Sequence, residues 1–153
     1  MTVYYACKYA PLELIAGFGA DCAALDPLAE SFSCAERHAH PNLCGYAKAV
    51  LEQVEQSRVR ALVLTNCCDA MRRVYDVLEA SGGLDFLYFL PLPHQTGPAA
   101  RARLARDLGR LAQALQAYTG RAFDPALAAR AFVRRSRRPG APITLPGGHR
   151  KAG

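Results

Sequence analysis

The stretch LTNCCDAMRR, residues 64–73, sets two cysteines side by side where the apolar run RALVL gives way to DAMRRVYDVLEA, a segment of helical character. The chain has six cysteines, at positions 7, 22, 34, 44, 67 and 68, all in its first half. A thiolate is a soft metal ligand and a nucleophile, whereas a protonated thiol is neither. An even count invites a disulfide reading, but the core-rich composition and the lack of an export signal argue against it. Clustering in one half suits a metal or redox centre better than a set of staples. The spacing is wrong for a common structural zinc site, because no C-x₂-C pair is present. His38, His40 or His94 could still complete one, although each also reads as a surface histidine. Cys7 and Cys22 read as small core residues. For Cys67 and Cys68 the residues alone leave metal binding and core packing both open.

The elements that must position these thiols follow from periodicity. APLELIAGFG opens with Pro11, suited to a first helical turn, and ends on Gly17 and Gly19. ADCAALDP reads as an edge strand, and ESFSCAERHAHP as a loop. A helix follows, with Asn42 as N-cap and an apolar stripe of Leu43, Tyr46, Ala47, Val50, Leu51 and Val54. VRALVLTN, continuously apolar and β-branched, is the pattern of a buried parallel strand. The helix DAMRRVYDVLEASGG buries Met71, Val74, Tyr75 and Leu78 and stops at Gly82–Gly83. LDFLYFLPLP is a second buried strand, and the segment from Gly97 to Gly120 a long helix striped by Leu104, Leu108, Leu111 and Leu115. Asp124 and Pro125 open the last helix.

Alternating helices and strands predict an α/β fold, a small parallel sheet flanked by helices in a Rossmann- or flavodoxin-like three-layer domain. Ligands of such sheets gather at the carboxyl ends of the strands. Cys67 and Cys68 follow a strand directly and precede a helix, so they belong at that edge. Cys44 lies in the first turn after Asn42. Helix N-termini carry partial positive charge, which favours thiolates. Two cysteines at two helix N-termini could converge on one site, with Cys34 in the preceding loop within reach.

Charge and composition narrow the alternatives. Arg134, Arg135, Arg137, Arg138, Arg150 and Lys151 account for the whole net charge of +6. Residues 134–153 are rich in Pro, Gly and Arg, and predict a basic, disordered tail behind a domain of residues 1–133. No recognition motif accompanies the charge, so no nucleic-acid role is expected. No apolar run reaches the ~18 residues of a membrane span. The start of the chain lacks a basic region followed by an apolar block, which predicts a cytoplasmic protein without a signal peptide. GFG at 17–19 ends a helix rather than following a strand, so it is no dinucleotide fingerprint.

Four blocks, YAPLELIAGFGA, HPNLCGYAKAVLE, LTNCCDAMRRVYDVL and FLYFLPLPH, resemble consecutive segments of the 2-hydroxyacyl-CoA dehydratase and benzoyl-CoA reductase subunit family, over roughly residues 5–130. The resemblance implies subunits of two similar α/β domains with an oxygen-sensitive iron–sulfur cluster between them. It implies an ATP-hydrolysing activator that injects one low-potential electron. Water then leaves a 2-hydroxyacyl-CoA through a ketyl radical. The ligands it implies are Cys44 and Cys68. Cys34 and Cys67 exceed the simpler pattern and resemble the branch with a double-cubane cluster, which implies that Cys34, Cys44, Cys67 and Cys68 hold a 4Fe–4S or double-cubane centre. The partners implied are the activator, a homologous subunit or second copy, and an acyl-CoA or other small substrate. Family subunits are more than twice this length. The change of composition near Phe132 resembles a truncation or a shifted reading frame. The expectation is therefore an incomplete cluster shell and an inactive fragment.

Overall fold

The structure is a computed structural model that describes residues 1–27 and 31–137. Four strands form one sheet: β1 (Thr2–Tyr5), β2 (Asp21–Ala24), β3 (Ala61–Thr65) and β4 (Phe86–Leu90). Every pairing is parallel, in the order β2-β1-β3-β4. Six helices connect and cover the strands: α1 (Leu12–Gly17), α2 (Ala35–His38), α3 (Gly45–Gln56), α4 (Asp69–Ser81), α5 (Pro98–Thr119) and α6 (Pro125–Arg137). This is the three-layer α/β arrangement expected from the sequence.

The layers follow from side-chain alternation along β3, whose five residues are all buried. Ala61 and Val63 face one side and pack with Ile15 and Ala16 of α1, Leu111 and Leu115 of α5, and Ala131 of α6. Leu62 and Leu64 face the other and pack with Val50, Leu51 and Val54 of α3 and Met71, Val74 and Leu78 of α4. Covering both faces favours apolar residues on β3, hence the apolar run from Ala61 to Leu64 before the buried Thr65. Full burial of each such leucine stabilises the fold by about 1.5–3 kcal/mol.

The connections set the functional edge. The chain leaves β1 through α1 on one face and returns as β2. It then crosses to β3, on the far side of β1, by way of α3 on the opposite face. The strand order therefore reverses between β1 and β3. At such a reversal the flanking helices diverge and leave a crevice beyond the strand ends.

Three details differ from the sequence expectations. TVYY forms β1, a strand too short to show a period of its own. The loop before α3 contains the short helix α2. Helix α3 starts two residues later than its apparent cap: the Asn42 N–H is taken by His40 Nδ1 at 3.2 Å and the Leu43 N–H by the His40 carbonyl at 3.0 Å, a turn that leaves Cys44 as N-cap. Other signals hold as read. Gly82 ends α4 in the left-handed conformation, and the Asp124 carboxylate caps α6 through the Ala126 N–H at 2.8 Å. Helix α6 continues through Arg137, and Arg135 pairs with Glu13 of α1 at 3.2 Å. The remainder of the basic tail lies outside the described residues. Among those described, no helix is long and apolar enough to cross a membrane.

A candidate metal centre at the carboxyl edge of the sheet

Cys68 is the N-cap of α4 and Cys44 the N-cap of α3. N-caps favour Ser, Thr, Asp and Asn, whose side-chain oxygens bond the open N–H groups of the first turn. Neither cysteine makes such a bond, and both are exposed. Two successive helices thus forgo a capping interaction worth about 0.5–2 kcal/mol each. Local rules broken without a structural gain point to function.

Two polar side chains fix the loops around these caps. Asn66, between β3 and the cysteine pair, accepts the Leu92 N–H at 2.5 Å and donates to the Leu92 carbonyl at 3.0 Å. Its amide also lies 3.3 Å from His94 Nε2. The loop after β3 is thereby clamped to the loop after β4. Tyr46, two residues beyond Cys44, donates its hydroxyl to the Ala6 carbonyl at 2.7 Å and so ties the start of α3 to the end of β1. Burial pushes the Tyr46 phenol pKa up, and the nearby Cys67, Cys7 and Cys68 add to the effect. One tyrosine therefore sits within electrostatic reach of three thiols and shares the first turn of α3 with the exposed Cys44.

Cys67 is exposed, in the loop between β3 and α4. Burial of its sulfur, followed by the effect of the neighbouring Cys7, pushes its pKa up to about 11. Cys22 is a different kind of residue. It lies in the core and donates to the Leu12 carbonyl at 3.6 Å, and burial, with Asp21 and Glu13 nearby, raises its pKa to about 12. It is a small core side chain, as its sequence context indicates.

The backbone at Cys34 is bound by Glu52 of α3. This α3 carboxylate is only 1% exposed. It accepts the N–H groups of Cys34 and Ala35 at 2.9 Å each, with Ser33 Oγ at 3.5 Å and Gln56 Nε2 at 2.6 Å. The Ala35 N–H, more than any other group, holds the Glu52 pKa below its ordinary 4.5. Stability from Glu52 is then complete above pH 4.5 and lost as pH falls through the lower folded value. Glu52→Gln should lower the Tm by several degrees at pH 7, because an amide N–H₂ cannot accept from the α2 backbone. The gap between the two proteins should narrow in thermal melts run below pH 4.5. An unchanged Tm at pH 7 would show that the carboxylate does not hold the loop.

The histidines divide in the same way. His38 stands 4.0 Å from Glu55, and His40 is used in the turn before α3. His94 alone joins the carboxyl edge, through Asn66. Among the described residues, no three His, Cys, Asp or Glu side chains stand close enough together to hold a metal ion by themselves. The donors at the edge are nevertheless soft sulfurs, solvent-accessible and set at helix starts. Soft sulfurs are the donor type that an iron–sulfur group takes.

Tyr46, Asn66, Glu52 and Cys7 all escape a reading of motifs. Asn66 alone carries a signal, as a polar residue ending a buried strand directly before two cysteines. No match is found among curated proteins. The family model of the 2-hydroxyglutaryl-CoA dehydratase D-component matches residues 7–138, from the Cys7 loop to the end of α6. By that match over most of its length, the chain belongs to the 2-hydroxyglutaryl-CoA dehydratase D-component family.

Proposed function

We propose that this chain supplies one side of an iron–sulfur centre in a 2-hydroxyacyl-CoA dehydratase-type component. Cys44 and Cys68 are its principal ligands, and Cys67 stands beside them. When bound, the cluster takes up and passes on a low-potential electron, which a separate ATP-hydrolysing activator delivers. The substrate class is an acyl-CoA, from which water is eliminated reductively. A second α/β unit, from a homologous subunit or a second copy, completes the ligand shell. Cys34, whose backbone N–H Glu52 binds, joins the set as a double-cubane ligand.

One observation carries the reading: Cys44 and Cys68 are exposed, non-capping N-caps of two successive helices. Tyr46 and Asn66 keep the two loops in place, so the sulfurs need not be ordered at the moment of binding. Zinc is the weaker reading, since His38 and His40 are engaged elsewhere.

Anaerobic reconstitution of the chain with ferrous iron and sulfide tests this, by iron and sulfide analysis and EPR after reduction. Bound iron with a cluster signal is expected, and Cys44→Ser and Cys68→Ser should each lose most of it. Serine is the better N-cap, so both variants should keep or slightly raise the Tm, by up to the equivalent of about 1 kcal/mol. Loss of iron would then not reflect unfolding. A colourless chain with stoichiometric zinc or no metal, or variants that retain iron, would overturn the proposal.

A further inference from the structure

Strand β4, FLYFL, lies at one edge of the sheet and pairs with β3 alone. Its Phe86 N–H donates to the Arg60 carbonyl at 3.1 Å. By the alternation of a parallel ladder, Tyr88 and Leu90 also turn their backbone groups to β3. The N–H and C=O of Leu87 and Phe89 therefore point outward along an open edge. Edge strands are ordinarily kept from pairing by charge, proline, a bulge or a cover. FLYFL has no charge, proline or glycine. Helices α4 and α5 lie on its two faces, yet Leu87, Tyr88 and Phe89 are half-buried where every residue of β3 is buried. Beside this edge runs a stripe of α4. The Arg72 guanidinium stands 5.3 Å from the Phe89 ring centre and the Tyr75 ring 5.2 Å from it. The Tyr75 hydroxyl donates to Glu79 Oε1 at 2.7 Å. Arg72 and Glu79 are two helical turns, about 10 Å, apart on one side of the helix. Both are exposed, and among the described residues neither has an ion-pair partner, whereas Arg73 pairs with Asp76 at 3.2 Å.

We propose that two copies of this chain join through β4, antiparallel about a two-fold axis at Tyr88, so that their sheets become one. Leu87 of each copy exchanges backbone hydrogen bonds with Phe89 of the other, and Tyr88 stands opposite its counterpart. The α4 stripe selects a second copy as the occupant. The same axis turns α4 antiparallel to its counterpart and sets Arg72 of each copy against Glu79 of the other. One operation thus meets both unpaired charges in both chains. The spacing also fits. Helix α4 packs on β3 and β4 alike, so two such helices across the seam lie two strand spacings apart. That is roughly 9.6 Å, within the range of about 8–10 Å for packed helices. The two cysteine-bearing edges then face opposite directions, and each stays open to a further unit. The pairing goes beyond the cluster reading and does not rest on it.

Sedimentation of the full chain under reducing conditions tests this, and a dimer at micromolar concentration is expected. Arg72→Glu and Glu79→Arg should each raise the dissociation constant about tenfold or more, because each sets like charges together twice about the axis. The double reversal, R72E with E79R, should recover most of the lost affinity. Both positions are exposed, so an unchanged Tm in the variants separates lost pairing from lost folding. The Leu87 and Phe89 amides should exchange hydrogen more slowly in concentrated than in dilute samples, and Arg72→Glu should abolish the difference. A chain that stays monomeric at high concentration leaves the edge to another protein and overturns the pairing. A dimer indifferent to both reversals, a double variant no better than the single ones, or exchange at Leu87 and Phe89 independent of concentration would overturn it as well. Iron uptake is read separately. A monomer that takes up iron would sink the pairing and leave the cluster reading standing, and a charge-reversible dimer that takes up none would do the reverse.

Discussion

Leu64→Ala is expected to lower the unfolding free energy by about 2–5 kcal/mol. Leu64 is wholly buried in the penultimate position of β3, opposite Phe89 of β4. Its side chain lies in the layer that α3 and α4 share with the sheet. Truncation removes apolar contacts and leaves a void that both helices border, and neither can close it without leaving the other. Domains of this size are stable by only about 5–15 kcal/mol, so the loss is a large share of the total. Urea unfolding should show a lower midpoint with an unchanged slope. Leu64→Met, which nearly conserves volume, should cost less than about 1.5 kcal/mol. If alanine and methionine cost the same, the packing account of β3 is wrong.

The same strand explains why the fold was readable. ALVLT is buried at every position and apolar up to Thr65 because both faces are covered, and that pattern needs no tertiary information. The amphipathic α4 and its glycine stop are equally local. TVYY was not readable, since four residues of alternating burial set no period, and the strand exists through pairing with β2 and β3. Asn42 looked like a cap by residue type, but His40 captures the turn first.

Legibility of the site divides along the same line between local and distant. Cys68 at the start of α4 follows from the strand-to-helix switch around it. Cys44 was recognisable as lying near a helix start, though not as the cap itself. Cys7 reads as a core residue, whereas the fold leaves it half-buried in the loop after β1, whose carbonyls are taken up by Tyr46 and Arg135. Cys34 looked available from its nearness in sequence to Cys44. Glu52, eighteen residues further along, binds its backbone N–H, a contact between elements that no local pattern announces. Sequence patterns show where a helix begins; they do not show which side chain of another element reaches it.

Asn66 is where the fold and the site meet, and Asn66→Ala should act on both. The substitution leaves the Leu92 N–H and carbonyl without their partner in a half-buried loop, a loss of about 1–3 kcal/mol. It also frees the segment that aims Cys67 and Cys68. A residue that orients ligands without touching the metal typically changes metal affinity about 10- to 100-fold. Iron binding should weaken within that range, while the number of ligating thiols stays unchanged. Asn66→Asp separates the two effects. A carboxylate can still accept the Leu92 N–H, but it sets a negative oxygen against the Leu92 carbonyl and cannot donate to His94. It should therefore weaken binding nearly as much as alanine. A simple loss of packing would instead make aspartate the milder change, since it fills almost the same volume. Metal affinity unchanged in both variants, with stability lowered, would restrict Asn66 to holding two loops together and remove it from the positioning of the thiols.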